Sequence, residues 1–310
     1  MNAPVIETRG LGRSFDSVAA VSDLTITLQV GDFFGLVGPD GAGKSTVIRL
    51  LCGLLSPTTG EGRILGFDLR RDVELIKSRI GYLSQSFTLY GDLTVNENIE
   101  FFAELHGVAG YQTRRDELLA FTRLAPFRTR LAQALSGGMK KKLALACALI
   151  HTPDLLLLDE PSTGVDPVSR GEFWLILKDL LSRGMTIIMT TPYMDEAERC
   201  DRIGLINRGT LIRLGTPDSI KSELNGRLFQ VTGDSLSTIH QILRQRWSAA
   251  SLVRYGDRLH FCTTHPDDKP NAIAWLRQNG LPDIQFTPTK PSLEDVFVAL
   301  MSKPEQGEYL

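Results

Sequence analysis

Residues 33–51 read FFGLVGPDGAGKSTVIRLL, and the fold of the chain is decided by how that stretch is parsed. Phe33–Val37 is a short apolar run suited to a strand, and it leads straight into a glycine loop. Gly38-Pro39-Asp40-Gly41-Ala42-Gly43-Lys44-Ser45 fits the pattern G-x-x-x-x-G-K-[ST], with Thr46 completing the loop. Beyond it, Val47, Leu50, Leu51 and Leu54 recur at helical spacing until Pro57-Thr58-Thr59-Gly60 closes the helix. Strand, loop and helix in that order give the motif its mechanism. Glycines let the backbone curl so that several N–H groups converge on one phosphate, and the helix N-terminus adds a favourable dipole. Lys44 is expected to reach the β- and γ-phosphates of a nucleoside triphosphate, and Ser45 to offer a hydroxyl to Mg²⁺.

A second apolar run, Leu155–Leu158, is too short and too greasy for an exposed element and reads as a central strand buried on both faces. Ligands of such sheets bind at the carboxyl ends of the strands, where Asp159 and Glu160 fall. Asp159 is the candidate holder of Mg²⁺ and Glu160 the candidate general base, so Glu160 and Lys44 are the candidate catalytic pair. An isolated Asp-Glu pair would equally suit a helix N-cap, and the neighbouring phosphate loop tips the reading toward chemistry. Around these motifs short strands alternate with helical periods, which makes the first two-thirds of the chain α/β. Val21–Val30, Ile80–Leu83 and Thr186–Thr190 read as further strands, and residues from about 87 to 140 as a helical insertion.

The third motif is Leu135-Ser136-Gly137-Gly138-Met139, at the start of a helix striped by Leu143, Ala146, Cys147 and Ile150. Ser-Gly-Gly by itself is an ordinary helix cap. Placed between the phosphate loop and LLLLDEP, it makes residues 5–220 resemble the nucleotide-binding subunits of ATP-binding cassette (ABC) transporters. That resemblance implies an ATPase core in which two such domains close head to tail, as a homodimer or a heterodimer, with each ATP between the phosphate loop of one and the LSGGM segment of the other. By position in the family pattern, Phe15 would stack on adenine, Gln85 would touch Mg²⁺ and water, and Asp166 would sit in the loop linking the two sites. Phe15 taken singly could equally be core. Phe87, Leu89 and Tyr90 after Gln85 offer either an apolar docking surface or packing within the helical insertion. Met139, the phrase YMDEAERCDRIGLI and the segment PSLEDVFVAL resemble the bacterial drug-exporter branch, whose membrane permease is a separate chain. The resemblance thus implies ATP and Mg²⁺ as ligands, permease subunits as partners, and a peripheral place on the cytoplasmic face of the cell membrane.

One position departs from the family. Where relatives usually carry a histidine that contacts the γ-phosphate and the attacking water, this chain has Pro192. Proline offers no side-chain donor and no backbone N–H, while its effect on Thr191 is benign at a strand end. Loss of one preorganised donor typically costs about 10²–10³ in rate. Two alternatives to an export ATPase follow. One is an ATP-binding subunit with a regulatory or degenerate site, supported only by Pro192; the other is a non-transport ABC ATPase, which would tend to carry two cassettes, a charged linker or a long coiled coil.

Composition sets the remaining bounds. A formal net charge of −2 over 310 residues gives no electrostatic reason to expect nucleic acid as a partner. Lys140–Lys142 reads as a solvated helix face. Cys52, Cys147, Cys200 and Cys262 lack metal-ligand spacing and suit reduced, structural thiols. No apolar run approaches the ~20 residues that span a bilayer, and MNAPVIETRG lacks a leader pattern, so a soluble chain is expected. A composition shift near Ser222–Arg227 divides a nucleotide-binding domain (1–222) from a small accessory domain (227–303), with a tail at 304–310. The accessory order of strand, helix, two strands, helix and strand indicates a split βαβ, α+β unit.

Overall fold

The computed structural model describes residues 3–86, 89–248 and 251–301. Phe87 and the 304–310 tail therefore lie outside the described residues. The first strands are β1 (Ile6–Phe15), β2 (Val18–Leu24), β3 (Thr27–Leu28) and β4 (Phe33–Val37). The strand expected over Val21–Val30 is broken in two: β2 ends at Leu24, just after Asp23 with its left-handed φ of 51°, and β3 covers only Thr27–Leu28. Helix α1 (Lys44–Leu51) follows the glycine loop, then β5 (Thr59–Ile64), β6 (Phe67–Asp68), α2 (Val73–Lys77) and β7 (Ile80–Leu83).

Among the described residues, α3 (Val95–Leu105) and α4 (Tyr111–Phe121) lie within the expected insertion, and α5 (Gly137–Leu149) starts at its end and runs beyond it. The first starts at a capping box, in which Thr94 accepts from the Glu97 N–H and the Glu97 carboxylate accepts from the Thr94 N–H. The α/β pattern resumes with β8 (Leu155–Asp159), α6 (Pro167–Ser182), β9 (Thr186–Thr191), α7 (Met194–Ala197), β10 (Arg202–Asn207) and β11 (Thr210–Gly215).

Neighbours in the large sheet run β6-β5-β1-β2-β11-β10-β4-β9-β8-β7, with β3 beside β1. Strands β10, β4, β9, β8 and β7 pair in parallel, while β1, β2, β5 and β6 form antiparallel ladders. The parallel part explains the greasiest runs: β4, β8 and β9 are buried at every position. Each Leu of β8 contributes about 1.5–3 kcal/mol by leaving water.

The chain divides into two compact units, one ending at Leu214 and the other starting at Gly215. That division precedes the composition shift at 222–227, since α8 (Pro217–Ser222) packs with the last helix, α11 (Leu293–Met301), inside the second unit. Between them lie β12 (Leu228–Thr232), α9 (Leu236–Leu243), β13 (Leu252–Tyr255), β14 (Arg258–Cys262), α10 (Asp268–Gln278) and β15 (Gln285–Pro288). Their sheet order is β13-β14-β12-β15, antiparallel throughout, which is the arrangement of a split βαβ unit. Ile239 and Leu243 of α9 and Ala272 and Leu276 of α10 pack with Val231, Leu259, Phe261 and Phe286 of the sheet. Among the described residues no helix is long and apolar enough to cross a membrane, and all four cysteines are buried free thiols.

Candidate active site

Strands β4, β9, β8 and β7 are parallel and adjacent in that order, so their carboxyl ends lie side by side. Each end delivers one part of a polar cluster: the phosphate loop, Thr190 to Pro192, Asp159 with Glu160, and Gln85. The loop itself depends on glycine at Gly43, where φ is 100° and a Cβ would stand 2.5 Å from the Ala20 carbonyl oxygen.

Lys44, the first residue of α1, is 3% exposed, and its ammonium folds back on the loop. It donates to the carbonyls of Gly38 at 2.9 Å and Pro39 at 3.0 Å. Glu160 Oε1 is 3.1 Å away, whereas exposed Asp40 approaches only to 3.9 Å. Glu160 is itself 5% exposed, and its second oxygen accepts from Gln85 Nε2 at 2.9 Å and from Thr163 Oγ1 at 3.3 Å. Its backbone sits at a left-handed φ of 45°, a cost of about 1–2 kcal/mol for a side-chain-bearing residue. The Glu160 N–H, donating to the carbonyl and the hydroxyl oxygen of Thr190 at 3.2 and 3.0 Å, holds that conformation in place. Strain retained by surrounding bonds at a polar cluster is characteristic of functional sites.

Asp159 is fully buried. Its Oδ1 accepts from Thr190 Oγ1 at 2.7 Å and from Ser45 Oγ at 3.1 Å. Its Oδ2 is equally buried and has no hydrogen-bond partner among the described residues. An orphaned carboxylate oxygen is expensive unless a ligand completes it. A hard anionic oxygen beside a serine hydroxyl suits a hard divalent cation. The cleft above this cluster measures about 550 Å³ and is walled by loop residues including Gly41, Lys44 and Thr46, by Gln85 and Glu160, by residues 18–20, and by Arg208 and Gly209.

The remaining candidates fall elsewhere. Phe15 ends β1, is 42% exposed and carries the Arg13 guanidinium 4.7 Å from its ring centre, but it is not itself a wall of the cleft. None of Leu135, Ser136, Gly137, Gly138 and Met139 borders the cleft. Ser136 caps α5, accepting from the Met139 N–H at 3.3 Å, and both Ser136 and Gly137 are exposed. Gly138 allows a close approach to α6, where a Cβ would stand 2.3 Å from Ser169 Cβ. Asp166 caps α6, and hydrogen bonds from the Ser169 backbone and side chain hold its carboxyl below the usual range. Of the two apolar residues after Gln85 that are described, Leu89 is buried and Tyr90 is 46% exposed, edge-on to Phe101.

Half-buried Pro192 follows β9, inside a network that the sequence did not reveal. Fully buried Glu196 accepts from Ser162 Oγ at 2.5 Å and Thr191 Oγ1 at 2.6 Å, and it pairs with Arg170 Nε at 2.8 Å. The Tyr193 N–H then donates to Thr191 Oγ1 at 3.0 Å. Among the described residues no histidine lines the cleft. His151 stacks on His106 with ring centres 3.9 Å apart, and burial together with its neighbour pushes the His151 pKa down to about 4. Lys140–Lys142 is not a uniformly solvated face: Lys142 is buried against Glu172, and Lys141 donates to the Gln85 carbonyl at 2.7 Å. Thr190 and Thr163 were also missed: strand register brings Thr190 to Asp159, and the turn after β8, in which the Thr163 N–H donates to the Glu160 carbonyl, brings Thr163 to Glu160.

Comparison with known proteins agrees with this geometry. Residues 21–163, which hold all three motifs, match the family described as ABC transporter. The chain is 39% identical over 311 residues to the probable multidrug ABC transporter ATP-binding protein YbhF of Escherichia coli, covering 97% of this chain and 53% of that protein. It therefore spans about half the length of that relative. It is 37% identical over 303 residues to the Nod factor export ATP-binding protein I of Rhizobium leguminosarum, covering 96% of this chain and 95% of the relative. Among solved structures, a dimeric ATP-binding cassette in a post-hydrolysis state with ADP and Pi is similar at a TM-score of 0.63 and 25% identity, over 68% of this chain and 98% of that one.

Proposed function

Because the chain belongs to the ABC transporter family, as one of its ATP-binding ATPase subunits, we propose that it hydrolyses ATP within a head-to-tail pair of nucleotide-binding units and so drives export through a separate permease. The observation that carries this reading is the cluster of Lys44, Ser45, Gln85, Asp159 and Glu160 at adjacent strand ends, with one Asp159 oxygen buried and unpartnered among the described residues.

ATP occupies the cleft with its phosphates in the loop of Gly38–Thr46. Lys44 exchanges two carbonyls and Glu160 for the β- and γ-phosphates, which relieves the pairing that now occupies the base. Mg²⁺ fits the donor set: Ser45 and Asp159 would hold it, with Gln85 beside them. When bound, it supplies positive charge to the β- and γ-phosphate oxygens. Glu160, freed of Lys44 and Gln85, takes the proton from the attacking water. Its N–H bonds to Thr190 keep the carboxylate aimed while that exchange happens.

The exposed N-terminus of α5 at Ser136 lies away from this chain's own cleft, which supports its service to the nucleotide of a second copy. Phe15 serves the adenine ring and Asp166 the link between sites in the same reading. Pro192 leaves the γ-phosphate without the donor that a histidine would give, so turnover is slow rather than absent. The relatives' names speak of multidrug and Nod factor export, and we assign the choice of cargo to the permease. Coupling to such a partner places the subunit on the cytoplasmic face of the membrane.

Steady-state ATP turnover with Mg²⁺ tests the proposal, run on the wild type beside Glu160→Gln. Turnover is expected to fall about 10²–10⁴-fold in the variant while ATP binding persists. Equal turnover in the two proteins would refute Glu160 as the base and with it the proposed hydrolysis at this cleft.

A further inference from the structure

Lys141 lies on α5, two residues beyond the LSGGM segment, and its ammonium donates to the Gln85 carbonyl at 2.7 Å. The side chain of the same glutamine donates to Glu160 Oε2 at 2.9 Å. Two consecutive hydrogen bonds therefore join the helix capped by Ser136 to the base. At the far end Glu160 is fully engaged, its Oε1 by Lys44 at 3.1 Å and its Oε2 by Gln85 and Thr163. A carboxylate held in this way is not free to accept a proton from water. Lys44 can leave for the phosphates of this chain's own nucleotide, but that exchange does not loosen the backbone of Gln85, which Lys141 holds.

The grip on Gln85 comes from α5. Lys141 is half-buried, and loss of water holds its ammonium below the ordinary lysine range while Asp159 and Glu160 pull the other way. A partly desolvated ammonium binds a carbonyl more strongly than an exposed one. The next lysine fixes the helix differently, since buried Lys142 pairs with Glu172 on α6. Thus α5 is anchored on one side to α6 and on the other to the residue that occupies the base. A shift of about 1 Å of α5 along the Lys141–Gln85 bond would take that bond out of hydrogen-bonding range.

We propose that Lys141 is a positioning residue that latches Gln85 onto Glu160, and that a triphosphate docking on Ser136–Met139 from a second copy releases the base by moving α5. The inference rests on the head-to-tail pairing proposed above. It makes hydrolysis in each site conditional on the nucleotide of the other, without any contact between the two nucleotides.

A double-mutant cycle on the full chain tests the latch: wild type, Lys141→Met, Gln85→Ala and the double variant, each assayed for turnover across ATP concentrations. Lys141→Met is expected to raise turnover at sub-saturating ATP about five-fold or more and to bring the Hill coefficient down toward one. In the Gln85→Ala background the same substitution should change neither quantity, while Lys141→Arg should behave as wild type. The same fold-change in both backgrounds would mean that Lys141 acts only on helix packing, and the latch would be overturned. Thermal unfolding of each variant checks that folding is intact. Glu160→Gln, run alongside, separates this failure from failure of the ATPase reading. If wild-type turnover equals that of Glu160→Gln, the ATPase reading fails, and the cycle is then read on ATP-dependent dimerisation, measured by light scattering. There the Lys141→Met effect must again vanish without Gln85, and additivity again overturns the latch.

Discussion

Two buried aspartates, one in each unit, solve the same problem in opposite ways. Asp295, at the start of α11, is 2% exposed and satisfied on both oxygens. Its Oδ1 meets His260 Nδ1 at 2.8 Å and accepts from the Tyr255 hydroxyl at 3.2 Å, while Oδ2 accepts from the Ser292 N–H and hydroxyl at 2.9 and 2.7 Å. Asp159 is just as buried, yet only one of its oxygens has partners among the described residues. Saturated Asp295 fastens α11 to its sheet, while Asp159 keeps one oxygen that, in the proposed reading, a cation completes. Burial is the same for these two aspartates, so what sets Asp159 apart from Asp295 is its unpartnered oxygen.

The largest effect that would sharpen this contrast lies at Pro192. In the proposed reading Pro192 leaves the γ-phosphate short of one donor, and Pro192→His restores it. Turnover is expected to rise about ten-fold or more, within the range set by loss of a single transition-state donor. An unchanged steady-state rate would mean that the site does not lack a donor at this position.

A smaller effect is expected from Asp295→Ala. It leaves His260, Tyr255 and Ser292 without their shared acceptor and should lower unfolding stability by about 2–4 kcal/mol, read from denaturant melts. ATP turnover should stay within about two-fold of wild type, since no proposed step uses this group. A collapse of turnover like that of Glu160→Gln would break the division between a structural and a functional aspartate.

The smallest effect is one of pH. Burial alone would raise the Asp295 pKa, but hydrogen bonds from His260 and Ser292 outweigh it and hold the carboxyl below the usual range. A group whose folded pKa is depressed stabilises the fold above its unfolded value, about 3.9, and loses that contribution as pH falls through the folded value. The stability gap between wild type and Asp295→Ala should therefore be full at neutral pH and shrink only below about pH 4. A gap that widens on acidification would contradict the sign.

Much of this was legible in the residues. Phe33–Val37 and Ile80–Leu83 have the bounds that their composition indicates, because buried strands in a parallel sheet are largely apolar runs. The phosphate loop, Asp159 and Glu160 were legible because each follows such a run directly. What was hidden depends on contacts between segments far apart in sequence. Nothing local says that Thr190 pairs with Asp159, that Glu196 gathers Ser162, Thr191 and Arg170, or that α8 belongs with α11. The three lysines after Met139 carry the plainest lesson. A charge run reads as a wet helix face, and yet Lys142 is buried against Glu172 while Lys141 reaches Gln85 across 56 positions of sequence. Charge shows that a residue needs a partner, and only tertiary structure shows which partner it has.

The most direct measurement of the open oxygen on Asp159 is the thermal unfolding midpoint, titrated with Mg²⁺ at fixed ATP, for wild type and Asp159→Asn. In the wild type Mg²⁺ should raise the midpoint beyond the effect of ATP alone, because a ligand that binds only the folded state stabilises it. In Asp159→Asn the ATP effect should persist and the added Mg²⁺ effect should vanish. An equal Mg²⁺-dependent rise in both proteins would show that the orphaned oxygen takes no part in holding the cation, and the account of this site would fail.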